Sequence, residues 1–206
     1  MNHMVDISHY VLNTNVLGPF DRSALWVHGC CFHCDGCIAS DMNSQPSNYV
    51  QTDKLAEIFS GVQGTEGITI SGGEPFLQAA SLSRMIREIR KNRDYGVIVY
   101  TGFLLEELRK NQDAGVQELL NLTDLVIEGR YQKELDDGMP YRGSSNQKIL
   151  LLSDRYREVY QDYYFTKKTR DIEIQLKESQ VFLVGVPSKR GLDTWRDLKK
   201  RAEGNG

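Results

Sequence analysis

Residues 24–37 read ALWVHGCCFHCDGC. The first six, Ala24 to Gly29, form a short apolar run ending in glycine, the pattern of a strand buried in a sheet. The run passes straight into a loop carrying Cys30, Cys31, Cys34 and Cys37, the only cysteines in the chain. A strand feeding such a loop fits an α/β fold, because ligands of parallel sheets and barrels gather at the carboxyl ends of the strands.

Outward from that stretch the same rhythm repeats. TDKLAEIFS (52–60) predicts a helix with Thr52 as N-cap and Asp53 in its first turn. GITIS (67–71) predicts a second strand, and SLSRMIREIRK (81–91) a helix with Leu82, Met85, Ile86 and Ile89 on one face. GVIVY (96–100) and DLVIE (124–128) predict two more strands, separated by helical patterns over 103–110 and 116–122. Strands joined through helices pair in parallel with right-handed crossovers. The loops CCFHCDGC, GGEP and TG, with Glu128 and Arg130 after the fourth strand, are therefore expected at one edge of the sheet.

KILLL (148–152) supplies a fifth apolar run, after which the pattern changes. DIEIQL (171–176) alternates with period two, and VFLVGV (181–186) follows the polar turn KESQ, which predicts a β-hairpin at the edge of the main sheet. Leu192 to Ala202 predicts a short charged helix, and EGNG a frayed end. With no repeat, low-complexity tract or linker, residues 1–206 are expected to form one domain.

Composition narrows the function. A formal charge of -3 and a pI near 5.8 give no basic field, so nucleic acid is not an expected partner. No apolar run approaches the roughly 20 residues of a membrane span, and the amino terminus lacks the pattern of a secretory signal. A cytoplasmic setting follows, with no membrane partner. There thiols stay reduced, and clustered cysteines bind metal more often than they form disulfides. Two registers are open: Cys30-x3-Cys34-x2-Cys37 with Cys31 spare, or Cys31-x2-Cys34-x2-Cys37 with Cys30 spare. Either suits an iron-sulfur cluster. Zinc remains an alternative, with His28 or His33 completing a Cys3His set.

The first register is that of the radical S-adenosylmethionine superfamily, and Ser71-Gly72-Gly73-Glu74-Pro75 resembles that superfamily's GGEP motif. LWVHGCCFHCDGC, ITISGGEPF, VIVYTGF, DLVIEGRY, ELDDG and YRGSSNQ are similar to successive blocks of the short glycyl-radical-activating enzymes, most of all the activases of anaerobic ribonucleotide reductase. These blocks span about residues 18 to 150, leaving about 151 to 206 as an extension.

The resemblance implies a partial (β/α)6-type barrel of parallel strands, here followed by a C-terminal β-hairpin and short helix. It implies a [4Fe-4S] cluster on Cys30, Cys34 and Cys37, with S-adenosylmethionine bound at the iron that no thiolate holds and cleaved there to a 5′-deoxyadenosyl radical. Ser71, Gly72, Gly73, Glu74 and Pro75 would contact that cofactor, as would Thr101, Glu128 and Arg130. The partners implied are a glycyl-radical enzyme as protein substrate and flavodoxin or ferredoxin as low-potential electron donor. A radical enzyme acting on a small molecule or ribosomal peptide is the alternative, and a zinc-binding module a more distant one.

The bland reading of GGEP alone is an ordinary turn, and of Glu128 with Arg130 a surface ion pair. Arg142, Ser144, Ser145, Asn146 and Gln147 form a polar cluster that reaches either cofactor, partner or its own loop. Tyr156, Tyr160, Tyr163 and Tyr164 are expected to pack, as are Trp26 and Trp195, and His3 and His9 are not expected to be ligands. The sequence departs from the activases at Phe20 after Gly18-Pro19 and at Cys31, where the family commonly has glycine and proline.

Overall fold

In the computed structural model, residues 3–166, 169–177 and 180–203 are described. The elements run β1 (Met4–Thr14), β2 (Arg22–Val27), a single turn α1 (Ser40–Asn43), β3 (Tyr49–Gln51), α2 (Thr52–Ser60), β4 (Gly67–Gly72) and α3 (Ala79–Arg90). They continue with β5 (Gly96–Tyr100), α4 (Leu105–Lys110), α5 (Ala114–Leu122), β6 (Leu125–Glu128) and β7 (Lys148–Leu151). These seven strands form one sheet in the order β3-β1-β2-β4-β5-β6-β7. β2, β4, β5 and β6 are mutually parallel, as the strand-helix rhythm requires.

The sheet is open, with β3 and β7 at its edges, so the described residues form no closed barrel. β7 pairs antiparallel with β6, contrary to the parallel repeat expected of the fifth apolar run. The connection from β6 to β7, residues 129–147, holds only a short turn over Lys133–Leu135 and lacks the helix that usually carries a parallel crossover. β1 adds an antiparallel strand that the sequence pattern conceals. Its Val5 and Ile7 face the helices while Val11 packs on the opposite side, because the register shifts between Ile7 and His9. Such a bulge breaks the period of two by which a strand is read. Thr52 is the first helical residue of α2, not its N-cap: Gln51 holds that position, and the buried Thr52 donates its N–H to His3 O.

One face of the sheet carries α2 to α5. Leu55 and Phe59, Met85 and Ile86, Leu108 and Leu119 meet Leu25, Ile70, Val97 and Val99 there. The other face is covered by the extension through α6 (Arg157–Gln161), a wide turn over Asp162–Thr166 and the hairpin β8 (Ile172–Lys177) and β9 (Gln180–Gly185); α7 (Lys189–Glu203) follows the hairpin. Tyr156 and Tyr164 pack with Tyr141 against Ile98 and Ile127, the packing role expected of the tyrosines. The hairpin does not extend the sheet's edge. It lies on the β1–β2 face, where Val184 joins Val11, Val16, Ala24 and Trp26, and Phe182 stacks on His9 with 3.5 Å between ring centroids. Most of the EGNG end and the centre of the KESQ turn fall outside the described residues. Among the described residues no helix is long and apolar enough to cross a membrane.

At the amino ends of the parallel strands, Arg22 is wholly buried. It donates to Thr69 Oγ1 (2.8 Å), Pro19 O (2.8 Å), Glu66 Oε2 (3.0 Å), Ile68 O (3.2 Å) and the Tyr156 hydroxyl (3.1 Å). A buried guanidinium is tolerated when its donors are matched in this way. The network locks β2 to β4 and to the extension.

Candidate active site

The parallel order of β2, β4, β5 and β6 brings the thiol loop, the GGEP turn, Thr101 and Arg130 to one edge. The thiol loop is set by backbone contact with the turn after β4. Gly73 donates its N–H to Val27 O (2.7 Å) and Glu74 its N–H to Gly29 O (2.8 Å). A Cβ on Gly73 would lie 2.0 Å from Gly29 O, and one on Gly72, at φ 102°, 2.5 Å from Val27 O. The two glycines are therefore required so that one loop's backbone can rest on the other's. Asn43 Oδ1 accepts the Gly29 N–H (3.1 Å), and Gln78 Nε2 donates to His28 O (2.9 Å).

Cys30, Cys34 and Cys37 are half-buried and Cys31 is exposed, and all four thiols are free. Burial raises the pKa of Cys30 and of Cys37, and neighbouring charge adds to it: Glu74, Cys31 and Cys37 act on Cys30, and Cys34 acts on Cys37. The thiols thus stand near enough to resist joint ionisation, a cost that a bound cationic cluster would offset. Among the described residues, no group of three or more His, Cys, Asp or Glu is arranged to hold a single metal ion. His28 Nδ1 pairs with Asp6 Oδ2 at 3.0 Å and its Nε2 is buried without a partner, while His33 is exposed. A four-iron cluster takes its thiolates on separate irons, so a half-buried loop of several thiols fits it without a tetrahedral ligand set.

Glu74 is 1% exposed. Its carboxylate accepts hydrogen bonds from Phe76 N–H (2.9 Å), Thr101 Oγ1 (2.9 Å) and Gly102 N–H (2.8 Å). Burial outweighs these donors and raises its pKa to about 7. Glu74 and Thr101 together tie the turn after β4 to the loop after β5, and Thr101 Oγ1 also receives the Phe103 N–H (3.1 Å). Pro75 opens the short turn over Pro75–Gln78 that follows, while Ser71 is half-buried at the end of β4. Glu128 is buried and accepts the Leu105 N–H at the start of α4, a capping position. Arg130 is exposed, and its guanidinium lies 4.4 Å from the centroid of the Phe32 ring. Glu128 and Arg130 form no ion pair with each other; they serve different loops.

Phe32 was not singled out by sequence, yet the loops after β5 and β6 both meet it. Phe103 contacts it edge-to-face at 4.7 Å, Arg130 covers it, and a Cβ on Gly102 would lie 2.4 Å from its ring. The polar cluster after β6 proves to be a loop network. Gln147 Oε1 accepts from Gly143 N–H (2.8 Å) and Ser144 N–H (3.2 Å), its Nε2 donates to Gly129 O (2.8 Å), and Asn146 Nδ2 donates to Arg130 O (2.8 Å).

The chain is similar to known proteins. Residues 16–150 match the family model described as a 4Fe-4S single cluster domain. The anaerobic ribonucleoside-triphosphate reductase-activating protein of Vibrio cholerae serotype O1 is 31% identical over 144 residues, 65% of this chain and 90% of that protein. The protein of the same name from Enterobacteria phage T4 is 26% identical over 145 residues, 68% and 89%. The pyruvate formate-lyase-activating enzyme of Staphylococcus aureus is 33% identical over 84 residues, 36% and 33%.

Proposed function

Because this chain belongs to the 4Fe-4S single cluster family and is a radical S-adenosylmethionine enzyme of the glycyl-radical-activase type, we propose that it installs a glycyl radical on a partner such as anaerobic ribonucleotide reductase. Cys30, Cys34 and Cys37 would hold a [4Fe-4S] cluster and leave one iron free for S-adenosylmethionine; Cys31 is the spare thiol. When bound, that cluster supplies the electron that cleaves the sulfonium to methionine and a 5′-deoxyadenosyl radical, which takes hydrogen from the substrate. The observation that supports this reading is the backbone seat of the thiol loop on Gly72 and Gly73, which sets the turn after β4 against the residue that precedes Cys30.

The protein's own residues then divide the work. Segment Ser71 to Pro75 offers its backbone to the charged head of the cofactor, while the Glu74 side chain, turned to Thr101 and Gly102, fixes that backbone. Glu128 orients α4. Arg130 is the exposed cation at this edge and suits a carboxylate better than a lysine would. Phe32, covered by Arg130 and Phe103, keeps water from one side of the loop. We read residues 1–206 as one domain acting in the reducing cytoplasm, with flavodoxin or ferredoxin as electron donor.

The test is direct. Reduced, reconstituted protein mixed with S-adenosylmethionine and anaerobic ribonucleotide reductase should give a doublet radical signal in electron paramagnetic resonance. The signal should vanish when the partner's radical-bearing glycine is replaced. Production of 5′-deoxyadenosine without any radical on such partners would overturn the assigned substrate.

A further inference from the structure

The extension after β7 lies beyond the residues matched by the family model, and one of its side chains grips the loop between β6 and β7. Arg170 is 4% exposed at its side chain. It donates to Met139 O (2.9 Å), both carboxylate oxygens of Asp136 (3.2 and 2.6 Å), Pro187 O (2.9 Å), Arg142 O (2.9 Å) and Gly143 O (3.2 Å). Five of these six bonds hold the β6–β7 loop, and the sixth anchors the guanidinium to its own extension.

That loop is the wall of the thiol site. Tyr131 lies between Gly143 and Gly36: a Cβ on Gly143 would stand 2.7 Å from its ring, and one on Gly36 3.6 Å away. Gly36, at φ 72°, sits between Cys34 and Cys37. Beside it, Lys133 Nζ pairs with Asp35 at 3.4 Å. A mechanical path therefore runs from Arg170 through the Gly143 backbone and the Tyr131 ring to the stretch joining two of the thiols.

We propose that Arg170 is a positioning residue through which the C-terminal extension presses the Tyr131 wall against the thiol loop and protects the cluster held there. The protected cluster rests on the function proposed above, whereas the wall does not. A lysine cannot replace the guanidinium, because one ammonium with three donors cannot span acceptors at Asp136, Met139, Arg142 and Gly143 together.

The test uses full-length protein carrying Arg170→Ala, Arg170→Lys or Gly143→Ala; the last drives a Cβ into the Tyr131 ring and leaves Arg170 intact. Amide hydrogen exchange is compared, in metal-free and in reconstituted protein, for residues 130–147, 30–37 and 96–100. Losing these charge-assisted bonds should raise opening of the first two segments by about tenfold or more, with β5 unchanged. Iron release from reconstituted protein to a chelator should accelerate in all three variants, and methylguanidinium should slow it again in Arg170→Ala alone.

Equal loss of protection in β5 would mean a merely global role and would overturn the proposal, as would faster loop exchange with unchanged iron release. If the protein takes up no iron, the activase reading fails. The exchange arm on metal-free protein still decides whether the wall exists.

Discussion

Replacing Glu74 by glutamine keeps the shape of a buried clamp and removes its charge. The folded protein holds this carboxyl at about 7, against an ordinary 4.5, because burial outweighs the donors at Phe76, Gly102 and Thr101. A folded-state value above the unfolded one means that the native protein keeps a proton which the unfolded chain has already released. Its contribution to stability is complete below pH about 4.5 and is lost as the pH rises through about 7. The gap is worth about 3 kcal/mol in all, of which about 2 kcal/mol falls between pH 5.5 and pH 8.5.

Glutamine does not titrate, and its amide, like the protonated carboxyl, sets a donor group among the three donors that converge there. Urea unfolding of both proteins, under argon and with thiols reduced, is compared at pH 5.5 and pH 8.5. The stability of the wild type relative to the variant should fall by about 2 kcal/mol from the first to the second. Titrations elsewhere cancel in the difference. A pH-independent difference would refute the clamp's assigned protonation.

Other perturbations follow from the same contacts. Gly73→Ala places a Cβ 2.0 Å from Gly29 O, a backbone atom that cannot swing aside, so the variant should fold but reconstitute with little iron; normal iron content would contradict the backbone seat. Arg22→Ala leaves Thr69 Oγ1 and Pro19 O without this donor, while Glu66 keeps Arg155 and Tyr156, and should cost about 1–3 kcal/mol for each buried acceptor left unmet, read by chemical denaturation, with folded protein still taking up iron. Phe32→Ala removes the ring that Arg130 and Phe103 share. It should speed oxygen-dependent bleaching of the cluster several-fold (roughly, for a loss of about 1 kcal/mol) without changing iron content, and an unchanged bleaching rate would argue against a shielding role.

Four parallel strands were legible because ALWV, GITIS, GVIVY and DLVIE are buried on both faces and read as continuous apolar runs. β1 was not, since its bulge puts Val5 and Val11 on opposite faces. The direction of β7 was not either, because KILLL carries no mark of its partner's sense. At the site, the thiols and the glycines announce themselves through residue types that few other environments require. The side-chain roles did not: Glu74, Thr101 and Glu128 are polar at the carboxyl edge of the sheet, yet their partners are backbone and neighbouring side chains. Phe32 looked like filler within a motif, and its meaning rests on Gly102 and Arg130, about seventy and a hundred residues away.

Everything functional rests on three of the four thiols sharing one cluster that stays open at a single iron. Each cysteine should therefore be changed to alanine in turn, and the anaerobic, dithionite-reduced proteins given S-adenosylmethionine while 5′-deoxyadenosine is measured. The expected result is product from wild type and from Cys31→Ala, and none from Cys30→Ala, Cys34→Ala or Cys37→Ala. Product from Cys30→Ala with loss in Cys31→Ala, or no product from the wild type at full iron content, would contradict it.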